Sequence, residues 1–369
     1  MVTMQKLDIA KSYVDKVLSE APESVRKDAY IHLYGVSLLC ALLAHKRGVD
    51  PEIASIPGVL HDMYTVKSGI SIHHAHSSAE MVRPVIRDFG VFSSHEQSTI
   101  LSAIFHHSDK GHSHGTYDEI LKDADVLQAY LQDASSKILR SRKCRLDRIS
   151  KELGLNIQPT VYGQAIQQHQ ISDDLTNRLA EIAEELAVRK IVGHPEDNDY
   201  IEIIRYWPDD DIAKVLKNGW CATFVYHCCM QIGFSLPIRV PNSPCRLAGV
   251  NAWYQWSKAA NLFTKDSATF LPARGDIVIY RNIVPPEKKD DVNTPTDHMG
   301  IVVFVDQNGF QAAEGNIGNE NMSGVIHRKH HVNIEGFIRI DGKYEYDGWK
   351  YDYKSGEIRT EPFTPTVPV

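Results

Sequence analysis

The spacing of the apolar residues changes once along this chain, and that change sets what it can fold into. From about residue 5 to residue 140 they recur at intervals of three and four, as in Leu33, Val36, Leu39, Cys40 and Leu43. That spacing belongs to helices with one buried face. Gly48 and Pro51 punctuate the next stretch, in which Ile53, Ile56, Val59 and Leu60 share a face, and a proline near a helix start with a glycine just before it fits a helix boundary. Further helices are expected near 75–90, 95–107 and 117–138, with the polar segment HHSDKGHSHGTYD as a loop. Beyond Trp220, where another helix begins, the apolar residues gather into short β-branched runs: DIVIY at 276–280, GIVVFV at 300–305 and GFIRI at 336–340. Such runs, bounded by Gly and Pro, predict strands of a twisted antiparallel sheet. The expected fold is therefore an all-α bundle of six or more helices followed by an α+β domain. The expected boundaries are 1–150 for the bundle, 151–194 for a helical linker, 195–345 for the second domain and 346–369 for an extended, Pro-rich tail. Ser172, Asp173 and Asp174 can cap a helix running to about Lys190; that helix is either a connector or the first element of the second domain.

The 369 residues suffice for two domains of ordinary size. Acidic residues outnumber basic ones by 47 to 40, for a net charge of −7, and no long run of either sign occurs. That balance argues against extended nucleic-acid binding, which needs a basic face. No stretch reads as a membrane span, and the charged first helix lacks the apolar core of an export signal, so a cytoplasmic protein without membrane partners is expected. The cysteines, Cys40, Cys144, Cys221, Cys228, Cys229 and Cys245, show neither zinc-ribbon spacing nor a disulfide framework and read as free thiols. Of 18 histidines, 11 precede residue 115.

Those early histidines stand beside carboxylates. His32 falls in one expected helix, His61 and Asp62 are neighbours in another, and Asp125 lies in a fourth, within KDADVLQ. Adjacent helical positions point about 100° apart, so His61 and Asp62 can approach one ion from two sides or bridge two. Imidazole with carboxylate suits Fe, Mn, Zn, Co or Ni better than Ca. An ion so held lowers the pKa of bound water and neutralises charge on a phosphoryl oxygen. The order H…HD…D along helices resembles the HD phosphohydrolase superfamily over roughly residues 25–140. The likeness extends to a His-Ala-x-x-small-Ala segment at His74 and to the pair His106-His107 after AIF. The resemblance implies a two-metal site with His32, His61, Asp62, His74, His107 and Asp125 as ligands, His106 and His76 being alternates, acting on a small, nucleotide-like phosphoester. Met63-Tyr64-Thr65 stands where many such enzymes have a small residue and Gly-Lys. The Gly-Tyr-Pro signature of cyclic-dinucleotide enzymes is missing after His107. The likeness is therefore nearest to small bacterial HD proteins and diadenosine-polyphosphate hydrolases.

In the second half, Cys221 opens an apolar helix, CATFVYHCCMQIG. A cysteine at a helix N-terminus faces the positive end of the macrodipole, which favours the thiolate nucleophile, and its own N–H can donate to an oxyanion. Cys228 and Cys229 lie two turns further on and read as buried, inert thiols. A base should come from another element: His298 precedes the run MGIVVFV. Glu314 follows the turn at Asn308-Gly309, and Asn316, two residues later, would share its side of a strand. Nucleophile, base and orienter make up the chemistry of acyl transfer through a thioester. The segments WCATFVYHC, the Trp253/Trp256 helix, ARGDIVIY, DHMGIVV, AAEGN and EGFIRI occur in this order. They resemble the CHAP amidohydrolase/peptidase family, of papain-like fold, over about 195–340. The resemblance implies Cys221 as nucleophile, His298 as general base and then acid, Glu314 as orienter and Asn316 as an accessory polar group. The Gly275-Asp276 turn would be structural, and the polar insert RNIVPPEKKDDVNTPTD would overhang the cleft. His327, His330 and His331 read as surface residues. A peptide or amide substrate follows, with peptidoglycan the usual one for the family. The combined expectation is a bifunctional hydrolase, the alternative being a peptidoglycan amidase or endopeptidase whose HD domain senses a ligand or targets the enzyme.

Overall fold

The computed structural model describes residues 5–340 and Tyr344, apart from positions 72, 111, 134–137, 158–160, 163–174, 210, 241–244 and 287–295. The Ser172–Asp174 cap, most of the polar insert and the Pro-rich tail lie outside the described residues. The chain divides into two compact units near residue 170.

The first unit is helical: α1 (Lys6–Glu20), α2 (Glu23–Arg47), α3 (Pro51–Leu60), α4 (Met63–Ser68), α5 (His74–Asp88), α6 (Ser94–His106), α7 (Thr116–Gln132) and α8 (Arg140–Leu153). The strands β1 (Ile138–Leu139) and β2 (Val161–Tyr162) form a short parallel pair. Local chemistry sets several ends. Asp50 accepts from the N–H groups of Glu52 and Ile53, with Pro51 at the first position of α3. Ser93 and Glu96 make a capping box for α6, and Gly48 closes α2 at φ 71°. Val36, Cys40, Leu43, Ala103, Leu121 and Ala124 lie in the core that α2, α6 and α7 share. One expectation fails here. The 25-residue α2 is long and apolar enough to cross a membrane by length and composition, although a core helix of a globular protein passes the same test. In this fold α2 packs along α3 and α7 and carries His32.

The second unit comprises α9 (Leu175–Val188), α10 (Asn198–Ile204), α11 (Ile212–Val215), α12 (Cys221–Gln231) and α13 (Val250–Ala259) with six strands. These are β3 (Phe263–Lys265), β4 (Ile277–Tyr280), β5 (His298–Val305), β6 (Gly309–Glu314), β7 (Gly324–Lys329) and β8 (Ile334–Ile338). They form one antiparallel sheet in the order β3-β8-β4-β5-β6-β7. Helix α9 packs on β5, β6 and β7, so the segment read as either connector or first element belongs to this domain. Val278, Tyr280, Val302, Phe310, Ala312 and Phe337 fill one face of the sheet. The Arg-Gly-Asp turn before β4 is structural: buried Asp276 accepts from the Ala273 N–H at 2.7 Å and from Arg339 twice, both at 2.7 Å. The chain thus has the expected class, a helical domain followed by an α+β domain. The short strand β3 and the edge strand β7, whose side chains alternate between half-buried and exposed, were not anticipated.

Candidate metal centre and candidate cysteine site

Four helices and one helix junction bring the first set of residues together. His32 comes from α2, His74 opens α5, His107 follows the last residue of α6, and Asp125 lies on α7. His61 and Asp62 sit at the break between α3 and α4, not side by side within one helix as expected: His61 caps α3 and Asp62, at φ −109°, caps α4. Two groups of ligand atoms result, His32/His61/Asp62 and Asp62/His74/His107. Asp62 Oδ2 is 3.5 Å from Nε2 of both His32 and His61, while its Oδ1 is 3.4 and 3.3 Å from Nε2 of His74 and His107. The Nε2 atoms approach each other pairwise, at 3.2 Å for His32 and His61 and 3.0 Å for His74 and His107. Asp125 Oδ1 adds a further oxygen 3.5 Å from His32 Nε2.

Each imidazole is oriented from behind. Nδ1 of His61 donates to the Gly58 carbonyl at 2.9 Å, that of His74 to Ser71 at 2.7 Å and that of His107 to Ile104 at 2.7 Å. Nδ1 of His32 donates to Gln128 Oε1 at 2.6 Å. A carbonyl acceptor at Nδ1 leaves the Nε2 lone pair free, which is how metal-binding histidines are held. Asp125 is fixed in the same manner: Lys110 Nζ bonds its Oδ2 at 2.5 Å, and the carbonyl of Lys110 in turn accepts from Arg145 at 3.2 Å. Gly58 permits the close approach of α2 and α3, since a Cβ there would lie 2.6 Å from the Ser37 Cα.

The electrostatics of the cluster favour a cation. Burial opposes charge on Asp62 and Asp125, yet the surrounding imidazoles and Lys110 hold both carboxyls below the usual range. Burial pushes His61 down to about 3, so its imidazole is neutral. Burial likewise lowers His32, but Asp62 and Asp125 outweigh it and raise His32 to about 9. The place between these carboxylates thus takes up positive charge. Asp62 Oδ1 is moreover a buried oxygen with no conventional hydrogen bond, which in a polar cluster calls for a ligand. The donor set therefore fits divalent cations of the imidazole-and-carboxylate type. The two alternates are not brought into either group among the described residues. His76 stacks on Phe105 with centroids 4.2 Å apart, and His106 stacks on His114 at 3.9 Å with its Nδ1 3.4 Å from Asp118.

In the second unit, Cys221 is the first residue of α12, with Trp220 as its cap. His298 opens β5 and Glu314 closes β6. His298 Nε2 donates to Glu314 Oε2 at 2.8 Å, and the imidazole also shares a hydrogen bond with Cys221. Both His298 and Glu314 are buried. Burial alone would lower His298, but Cys221 and Glu314 outweigh it and raise it to about 10. Burial likewise opposes charge on Glu314, yet His298 and Arg328 hold the carboxyl below its usual range. Gly300 makes the contact possible: a Cβ there would meet Glu314 Cγ at 2.6 Å, so the Glu314 side chain crosses β5 over a bare backbone. Asn316 does not continue the strand, as expected from a two-residue repeat. It lies beyond the end of β6 at φ 54°, its Oδ1 accepting from the Asn321 N–H at 2.8 Å and its Nδ2 donating to Asn319 at 3.0 Å. Asn321 accepts from Trp220 Nε1 at 3.0 Å, so this turn braces the start of the cysteine helix. Cys228 and Cys229 are fully buried and burial pushes their thiols up, as befits inert core residues.

Sequence reasoning passed over Gln128, Lys110, Gly300, Asn321, Tyr280 and Arg328. Only Gly300, a glycine inside a strand-forming run, carried a local signal.

Residues 29–130 match the HD domain family and residues 214–316 match the CHAP domain family. No curated protein and no solved structure matches the chain. The HD domain family binds divalent metals, and both families are hydrolases. The chain thus joins an HD domain to a CHAP domain, two hydrolase modules in one polypeptide.

Proposed function

We propose that the chain is a two-site hydrolase: a phosphohydrolase of nucleotide-type phosphoesters that uses a pair of divalent cations, joined to a thiol-dependent amidase or peptidase that uses Cys221, His298 and Glu314. The observation that carries the second half is the buried 2.8 Å bond between His298 and Glu314 opposite a cysteine at a helix start. In the proposed reaction the Cys221 thiolate attacks the amide carbonyl carbon, and the Cys221 N–H donates to the oxyanion. The C–N bond breaks as His298 passes its proton to the leaving amine, giving a thioester. Water then attacks that thioester, His298 takes the water's proton, and the acid leaves as Cys221 is freed. Glu314 keeps the imidazole oriented throughout and stabilises it in the steps where it carries a proton.

For the first half, His32, His61, Asp62 and Asp125 would hold one cation and Asp62, His74 and His107 the other. A divalent cation supplies Lewis acidity, offsetting charge on a phosphoryl oxygen and easing deprotonation of water. The chain's own part is to present four Nε2 lone pairs at fixed angles, to share Asp62 between the two groups, and to lock Asp125 through Lys110. The bidentate division of Asp62, one oxygen to each histidine pair, supports the two-cation reading over a single ion.

A screen of mono- and dinucleotides, a peptide-amide library and purified peptidoglycan tests both halves. Cys221→Ala should abolish amide cleavage and spare phosphoester cleavage, and Asp62→Ala should do the reverse. Loss of both activities in either folded variant would refute two independent sites.

A further inference from the structure

We propose that Arg328 is a positioning residue of the cysteine site: it clamps Glu314 as a carboxylate, so that Glu314 can hold the His298 imidazolium opposite Cys221. The inference deepens the thiol-hydrolase reading above and rests on it. Arg328 lies on β7, the edge strand, and reaches Glu314 with two bonds, Nε to Oε1 at 3.1 Å and Nη2 to Oε2 at 2.6 Å. The second of these shares Oε2 with His298 Nε2, so a single carboxylate joins guanidinium and imidazole. The guanidinium also lies 4.9 Å from the centre of the Tyr280 ring, and that ring stacks on His298 at an interplanar angle of 21°. Arg328 therefore fixes both the partner and the neighbour of the imidazole. A two-pronged guanidinium sets the plane of a carboxylate as a lysine ammonium cannot.

The charges around the site follow one order. Cys221 comes from α12, His298 from β5, Glu314 from β6 and Arg328 from β7, with the buried phenol of Tyr280 from β4 beside the last two. Helix α9, which covers these strands, buries only apolar side chains, among them Leu179, Ala183 and Leu186. Asp297, next to His298, is turned to the amides of Ile283 and Val284. Imidazolium, carboxylate and guanidinium thus alternate in sign. Without Arg328 a fully buried carboxylate would face a lone cationic partner, and a buried charge stripped of its partner tends to be neutralised by a proton. A protonated Glu314 no longer holds the imidazolium, and the ion pair with Cys221 goes with it.

The test needs no substrate. Alkylation of Cys221 by iodoacetamide is followed across pH on the peptide that contains it, in the full-length protein, for wild type, Arg328→Met and Arg328→Lys. The wild-type profile supplies the reference acid limb. Arg328→Met should move that limb up by about one to three pH units. Arg328→Lys, which keeps the charge but not both bonds, should show a smaller upward shift, and it remains informative if the methionine variant does not fold. An unmoved limb in a folded variant would overturn the proposal. So would a shift to lower pH, since Glu314 would then stay charged unaided. A His298→Ala control separates this result from the reading beneath it: if its profile equals wild type, the cysteine–histidine pair itself is wrong, whatever Arg328 does.

Discussion

Asp62→Asn removes one charge and one oxygen from the proposed metal centre while keeping its shape. Oδ1 faces His74 and His107 and Oδ2 faces His32 and His61, all within 3.5 Å. An amide keeps a single oxygen, so one histidine pair would face an NH2 group, which repels a cation. Hydrogen bonds to charged groups contribute about 1.5–3 kcal/mol, which is about 10- to 150-fold in a dissociation constant. Even changes behind the ligands cost about 10- to 100-fold in metal affinity, so loss of a direct ligand should weaken one cation by about 100-fold or more. Metal content measured by mass spectrometry after dialysis against a weak chelator should fall by half or further. Melting curves should agree for the two metal-stripped proteins and separate only when metal is added. An Asp62→Asn protein with wild-type metal content and chelator resistance would refute the shared-ligand reading.

Three other outcomes follow from the geometry. Gly58→Ala would place a Cβ 2.6 Å from the Ser37 Cα, prising α3 from α2 at a cost of about 1–3 kcal/mol, so urea denaturation should show the loss and metal titration should show weaker binding. Gly300→Ala would push Glu314 off its course over β5. Amide turnover should drop by about 100-fold, as for other small misplacements of catalytic groups, with circular dichroism unchanged. His298 is raised to about 10, so between about 6.5 and about 10 the folded chain holds a proton that the unfolded chain has lost. The stability from this pair is complete below that window and lost as pH rises through it. Urea midpoints of wild type and His298→Gln should therefore converge across the window, and parallel curves would contradict the assignment.

Much of this was legible in the sequence because several of the candidate residues stand at element ends that local chemistry marks. The Ser93/Glu96 box and the helical period place the end of α6, and with it His107. Cys221 and His298 likewise fall where an apolar helix and a β-branched run begin. The break between His61 and Asp62 had no such mark: neither residue is Gly or Pro, and the apolar spacing runs into it smoothly. Arg328 and Lys110 were invisible for another reason. Each acts on a carboxylate on a different element, 14 and 15 residues away, through a long side chain whose direction the local pattern does not encode. The expected register of Glu314 and Asn316 failed because the strand stops at Glu314, where Gly315 and the left-handed Asn316 begin a turn.

Asp62 has one more consequence, in the topology of the chain. The first unit contains no disulfide among its described cysteines; α2, α3 and α7 contribute to one ligand group and α5 and α6 to the other. Asp62 is the only member of both. Cations in those groups would close loops running from His32 to Asp125, the cross-linking that disulfides give secreted proteins, with the loop-closure entropy drawn from the unfolded chain. Because both closures meet in one side chain, any movement of Asp62 would disturb both ions at once, and the two halves of the bundle would be tied through that single residue.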